Sequence, residues 1–317
     1  MMYLIFIIAI KSILLYLGSG ELQQKFVLSE KEGFLFLSVY NVTSDEENIY
    51  VSDQKGFALY KISKNGKLIK KTGRKGEGPG EFLTGPANLC LSNDTLYVCD
   101  GSGIRIVHLF TKELNYIKSY RINIGILDIQ ANNNRFYIAS RDYYGTPYIA
   151  IYNSKFKEIK KMYLNNPAKV ARANDIHLLV TDSDDMIVIY KYRNLIQYYN
   201  SEWNMYEEIN IEGIPKVVKF EVVDKIKNTI SKSIDPKVAE YFYTWPKGII
   251  FRKVFLTHNG NILLQTGDSN CFIVNKYGKK LNYFRIKKDS DVLHIDKSNE
   301  IYLVNDSFTT LTKYELK

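Results

Sequence analysis

The residues of this 317-residue chain most open to a chemical reading are carboxylates that follow short apolar runs: Asp53, Asp100, Asp182, Asp184 and Asp268. Oxygen donors at the ends of separate strands can converge on a divalent cation or on the polar groups of a ligand. The densest group, Asp182-Ser183-Asp184-Asp185, lacks the Gly and the distal Glu of an EF-hand loop. A second set is aromatic: Tyr143, Tyr144, Trp203, Tyr241 and Trp245 could stack on a sugar or a peptide. Both sets have a plainer reading. An Asp at a strand end often hydrogen-bonds its own turn, and aromatic rings often only pack.

Motifs for covalent or metal chemistry are missing from the sequence. It contains no GxSxG elbow and no HExxH helix. The four histidines are His108, His177, His258 and His294. The spacing assigns them to a third strand, a second strand, a turn and a first strand, so a three-His centre is not supported. Cys90 and Cys99 fall in neighbouring strands, which allows a bridge in an oxidising compartment without requiring one, and Cys271 is elsewhere. No cofactor is called for; a divalent cation is the one addition the carboxylates leave room for.

The elements that must position these residues repeat. Ile49–Asp53, Leu96–Asp100, Phe136–Ser140, Leu178–Asp182, Ile262–Gly267 and Ile301–Asn305 are short apolar runs ending in Asp, Asn, Ser or Gly. They recur every 40–45 residues or so, with one gap about twice as long, and each is flanked by further short strands. Four short strands per repeat is a propeller blade, and sandwiched blades explain runs that are apolar on both faces. The spacing predicts an all-β, six-bladed propeller over residues 21–317. The last blade lacks a strand, which Lys25–Leu28 or Phe34–Tyr40 would supply to close the ring. Tyr and Phe numbering 25 and 16 fit this β-rich reading.

Residues 73–86, GRKGEGPGEFLTGP, carry Gly73, Gly76, Gly78, Gly80, Phe82 and Pro86. This loop resembles the blade-introducing loop of NHL-repeat propellers and of the six-bladed TolB-like propellers common in Bacteroidetes-type bacteria. The resemblance implies the fold; such families include protein-binding, RNA-binding and enzymatic members. On its own chemistry the loop reads as a blade crossover, with Phe82 plugging between blades. A phosphate loop is disfavoured, because no Lys-Ser/Thr pair follows the glycines.

Residues 214–247 interrupt the repeat. Val222, Val223, Ile226 and Ile230 are at helical spacing, and Asp235-Pro236 resembles a helix start. The expectation is a short helical insertion between blades 4 and 5, leaning over the central opening with Trp203, Tyr241, Tyr243 and Trp245 at its base. Sorting turns by face places Asp53, Asp100, Asp142, Asp182, Asp184, Asp185, Asp268 and Asp306 with the crossovers. The opposite face receives Lys64, Lys67, Lys112, Lys155, Lys157, Lys191, Arg193, Lys276, Lys279 and Lys280. Hence the expectation of one acidic and one basic face. Residues 1–20 read as an export signal or an N-terminal anchor: an apolar run over 3–17, too short for a membrane span, then small residues. No Cys lies near position 20, so a lipoprotein is excluded.

These features point to a periplasmic or secreted propeller, or one held by an uncleaved leader. It would bind a protein, peptide or glycan on its insertion-bearing face. Two alternatives stay open. One is a metal-assisted lyase or lactonase with crossover-face carboxylates around a cation. The other is a scaffold docking on an anionic surface, which the net charge of +9 permits. Nucleic acid is disfavoured, since no aromatic-and-basic motif is present.

Overall fold

The computed structural model describes residues 22–101, 105–142, 145–165, 171–214, 219–222, 244–247, 251–305 and 307–316. The chain opens with β1 (Leu22–Leu28) and a 3-10 turn at Glu30–Glu32, and then builds blades in order. Blade 1 is β2 (Val39–Ser44), β3 (Asn48–Asp53), β4 (Ala58–Ser63) and β5 (Leu68–Thr72). Blade 2 is β6 (Pro86–Ser92), β7 (Thr95–Asp100), β8 (Ile106–Thr111) and β9 (Tyr116–Arg121). Blade 3 holds β10 (Asp128–Asn132), β11 (Arg135–Arg141), β12 (Pro147–Asn153) and β13 (Glu158–Tyr163). Blade 4 holds β14 (Ile176–Val180), β15 (Met186–Tyr190), β16 (Leu195–Tyr199) and β17 (Met205–Asn210). After a hairpin of β18 (Lys219–Val222) and β19 (Thr244–Lys247) comes blade 5: β20 (Phe251–Leu256), β21 (Ile262–Thr266), β22 (Asn270–Val274) and β23 (Lys280–Arg285). Blade 6 is β24 (Asp291–Ile295), β25 (Glu300–Val304) and β26 (Leu311–Leu316).

Each blade is a four-stranded antiparallel sheet, and β1 completes the sixth by pairing with β26, from Leu22 opposite Leu316 to Leu28 opposite Leu311. The N-terminal strand therefore closes the ring, as the missing strand required, and leaves no open edge at the seam. Burial falls from inside to outside. All six residues of β3 are buried, whereas the outer strand β5 is largely exposed. One apolar cluster fills each blade interface; between blades 6 and 1, for example, Val42, Ile49 and Tyr60 meet Leu293, Tyr302 and Val304. Phe82 is fully buried between blades 1 and 2 with Tyr50, Leu59, Leu89 and Phe110, the plug expected of its loop. Within that loop the Glu81 carboxylate takes the Gly78 N–H at 2.8 Å and pairs with Arg74, so the loop's own side chain fills the turn. Gly85 has φ +98°, and a Cβ there would lie 2.0 Å from the Gln54 carbonyl oxygen, which demands glycine.

Three expectations are corrected or bounded. First, the described parts of the insertion are a β-hairpin, with Val222 opposite Thr244 and Glu221 opposite Trp245. Among the described residues the only helical turns are the two short 3-10 segments, at Glu30–Glu32 and Ala171–Asn174. The rest of the expected helices, residues 223–243, lies outside the described residues. Second, blade 4 is read one strand out of step in the sequence: Leu178–Asp182 runs from the innermost strand β14 into its turn, and the second strand is β15. Asp182, Asp184 and Asp185 therefore sit at the turn between first and second strands, opposite the crossovers. Lys191 and Arg193 move the other way, onto the crossover face. The simple division into an acidic and a basic face fails at this blade. Third, the three cysteines are buried and free. No helix among the described residues is long and apolar enough to cross a membrane. The leader, residues 1–20, lies outside them.

Candidate functional site

The first strand of each blade hydrogen-bonds only one neighbour, so its other edge faces the axis. The six first strands enclose a central channel of about 370 Å3, lined by residues of β2, β6, β10, β14, β20 and β24. Side chains at the starts of these strands, on the crossover side, are polar and charged: Tyr40, Asn88, Asp128, His177, Arg252 and Lys253, joined by Lys191 from the turn after β15. Toward the opposite end the lining is more apolar, with Leu91, Ala131, Val180, Leu256 and Ile295.

Polar contacts between neighbouring blades hold these strand starts in place. Asp128 accepts N–H groups from Ile129 at 2.9 Å and from Leu178 of the next blade at 3.2 Å. His177 Nε2 donates to the Phe251 carbonyl at 2.8 Å, joining blade 4 to blade 5. Arg252 pairs with Asp291 at 2.9 Å, joining blade 5 to blade 6; Asp291 also accepts from Gln265 at 3.0 Å. Toward the opposite end of the channel, His294 and Ser44 hydrogen-bond at 2.8 Å across the seam between blades 6 and 1.

The titratable groups act on one another. Burial raises the Asp128 carboxyl above its ordinary range, against the pull of backbone N–H groups and of Lys191 and Lys253. Burial, with Lys191 and Lys253 nearby, pushes His177 well below the ordinary histidine range, so its imidazole is neutral at neutral pH. Burial lowers Lys253 despite Asp291 and Asp128. It also raises the Tyr40 phenol. Such a set of displaced groups in one cavity makes the crossover end of the channel the candidate functional site.

Of the ligand-binding candidates read from the sequence, Asp53, Asp100, Asp182, Asp184, Trp203 and Asp268 do not line this channel. Asp53 and Asp100 are fully buried, and each holds a crossover loop: Asp53 accepts from Leu37 and Ser38 N–H, Asp100 from Leu83 and Thr84 N–H. Asp184 is buried on the opposite face, accepting from Asn132 and Asn133. Asp182 is exposed beside it. Trp203 stands at the turn between β16 and β17, also on that opposite face, with Arg135 and Lys160 over its ring. Asp268 is exposed in the turn between β21 and β22, held by Asn270. Tyr143, Tyr144 and Tyr241 lie outside the described residues, as does the side chain of Trp245, whose backbone belongs to β19. Among the described residues no group of His, Cys, Asp and Glu could hold a metal ion.

The channel residues escaped the sequence reading because they are drawn from five blades, far apart along the chain. His177 was hidden further by the blade 4 slip, which put it in a second strand. The usable signal was Met186–Tyr190, an apolar run followed by Lys191, which is the better second strand.

The six blades agree with the comparisons. The family described as 6-bladed beta-propeller, DUF5128, matches residues 25–247. The chain belongs to this propeller family. Among solved structures, a "Putative exported protein" of Bacteroides fragilis NCTC 9343 superposes on this propeller with a TM-score of 0.63 at 14% identity, covering 94% of this chain and 95% of that one. A duf4221 family member from Bacteroides vulgatus gives 0.60 at 8% identity, covering 94% and 98%. A catalytically inactive virginiamycin B lyase from Staphylococcus aureus with quinupristin gives 0.55 at 11%, covering 94% and 100%. Identities this low carry the fold alone. A search of curated proteins found no match.

Proposed function

We propose that this propeller is a binding protein that takes a small molecule, or the tip of a larger one, into the crossover end of its central channel. The observation that carries the reading is the convergence of Asp128, His177, Lys191, Arg252 and Lys253 on one end of a 370 Å3 cavity. Rigid first strands and contacts between blades hold these groups in place, the preorganisation a binding site needs. A role outside the cytoplasm belongs to the same proposal. It is supported by the apolar leader and by the kinship in fold with an exported protein. The likeness of residues 73–86 to NHL and TolB-like crossovers concerns the fold and adds nothing about the ligand.

Chemistry on the bound ligand is the second reading. The displaced Asp128, His177 and Lys253 favour it, and such groups serve acid–base steps in other folds.

A thermal-shift screen of glycans, peptides, metabolites and divalent cations tests the first reading, using the wild type and two channel variants. Asn88→Trp narrows the crossover end; Thr43→Trp narrows the far end. A ligand present at 100 times its dissociation constant adds about 2.7 kcal/mol. The shift is expected to survive in Thr43→Trp and vanish in Asn88→Trp. A shift that persists in Asn88→Trp places the site elsewhere.

A further inference from the structure

We propose that the crossover end of the channel receives an oxyanion, a carboxylate or phosphate group of the ligand, between the ammonium groups of Lys191 and Lys253, beside the Arg252 guanidinium. The proposal rests on the channel being the ligand site.

The backbone brings the two lysines together. Lys191 N–H donates to the Asp175 carbonyl and the Lys191 carbonyl accepts from Phe251 N–H, both at 2.9 Å. Phe251 is fully buried, and its own carbonyl takes the His177 hydrogen bond. The strand then turns Arg252 and Lys253 to the channel that Lys191 also lines.

Neither ammonium has a hydrogen-bond or ion-pair partner among the described residues. Two more deeply buried lysines elsewhere are paired: Lys61 with Glu113 at 2.8 Å, and Lys313 with Glu300 at 2.7 Å, whereas Lys191 and Lys253 are half-buried. The carboxylates at the channel end are engaged. Asp291 holds Arg252 and Gln265, and Asp128 takes two backbone N–H groups. Three cations thus face two carboxylates, and the ring of His177 and the phenol of Tyr40 line the same end. A partly desolvated ammonium without a partner is disfavoured, and a bound oxyanion offsets that cost. Two charged donors and a guanidinium match the oxygens of carboxylate or phosphate. The same charge excess repels a divalent cation. Burial displaces His177 downward first, and the nearby charges of Lys191 and Lys253 push it the same way.

The test is calorimetric titration of the full chain with inorganic phosphate and with citrate, and with glucose as a neutral probe. The set comprises the wild type, Lys191→Met, Lys253→Met, the double variant, Lys253→Arg and Asn88→Trp. Phosphate or citrate is expected to bind, to weaken at least tenfold in each Met variant, and to recover in Lys253→Arg. Which of the two binds more tightly separates the phosphate source from the carboxylate source. Without ligand, the unfolding midpoint of Lys253→Met is expected at or above that of the wild type, so loss of binding is not loss of fold. Unchanged anion affinity in the double variant overturns the proposal, as does failure of both anions to bind at millimolar concentration. If glucose binds and is lost only in Asn88→Trp, the oxyanion inference falls and the channel reading stands. If anion binding persists in Asn88→Trp, both fall.

Discussion

Asp53 and Asp100 occupy the same place in successive blades, and each carboxylate takes two consecutive backbone N–H groups of the crossover loop leading into its own blade. The distances are 3.0 and 2.7 Å from Leu37 and Ser38 to Asp53, and 2.7 and 2.9 Å from Leu83 and Thr84 to Asp100. The end of the second strand is thereby tied to the start of the first. A carboxylate that looks from sequence like a ligand donor is the bolt of its blade.

That relationship sets the first expectation. Asp100→Ala removes the buried carboxylate that holds two loop N–H groups and is expected to destabilise by about 2–4 kcal/mol, with Asp53→Ala similar. Urea unfolding reads this as a lower midpoint at constant slope. A loss below about 0.5 kcal/mol would deny the bolt its role.

Phe82 makes the second. Its ring is fully buried, stacked near Phe110 at 6.1 Å and edge-on to His108 at 5.1 Å. Phe82→Ala leaves a cavity between blades 1 and 2 and is expected to destabilise by about 3–5 kcal/mol. Phe82→Leu, which refills most of the volume, is expected to recover over half of that in the same assay.

Acid stability makes the third. Burial holds His294 down to about 4, from an ordinary 6.5, so the folded state binds its proton later than the unfolded chain does. The unfolded chain binds more protons between those values, so stability falls as pH drops from 6.5 toward 4, by on the order of 3 kcal/mol. His177 is displaced in the same direction and adds to this limb. His294→Gln, which can keep the Ser44 hydrogen bond, is expected to flatten the slope of stability against pH between 4 and 6.5. An unchanged slope would mean that His294 titrates normally.

Ring closure makes the fourth. Removing residues 1–28 deletes β1 and exposes the edge of β26. The shortened chain is expected to lose thermal stability and to self-associate through that edge, visible as a larger mass in light scattering. A monomer with the wild-type midpoint would show that β1 contributes nothing to closure.

The architecture was legible because blades bury the second strand on both faces. Runs such as Ile49–Asp53 and Leu96–Asp100 are apolar without alternation, and their period counts the blades. The closing strand was legible from the strand that blade 6 lacked. Blade 4 misled because the end of its first strand, Leu178–Val180, is as apolar as a second strand and is followed by Asp182, so the pattern admits a one-strand slip. That slip carried Asp182 and Asp184 to the wrong face and His177 away from the axis. The channel itself has no linear signature: Tyr40, Asp128, His177, Lys191 and Lys253 are neighbours only because six strand starts converge.

The most direct test of the channel as the ligand site is a crystal of the full chain soaked with a pool of small molecules of mixed charge. The account predicts that bound molecules gather at the crossover end of the channel, against Lys191, His177 and Lys253. Molecules gathered instead in the groove on the other face, between Asp45, Lys61, Lys112 and Lys297, with the channel end clear, would contradict it.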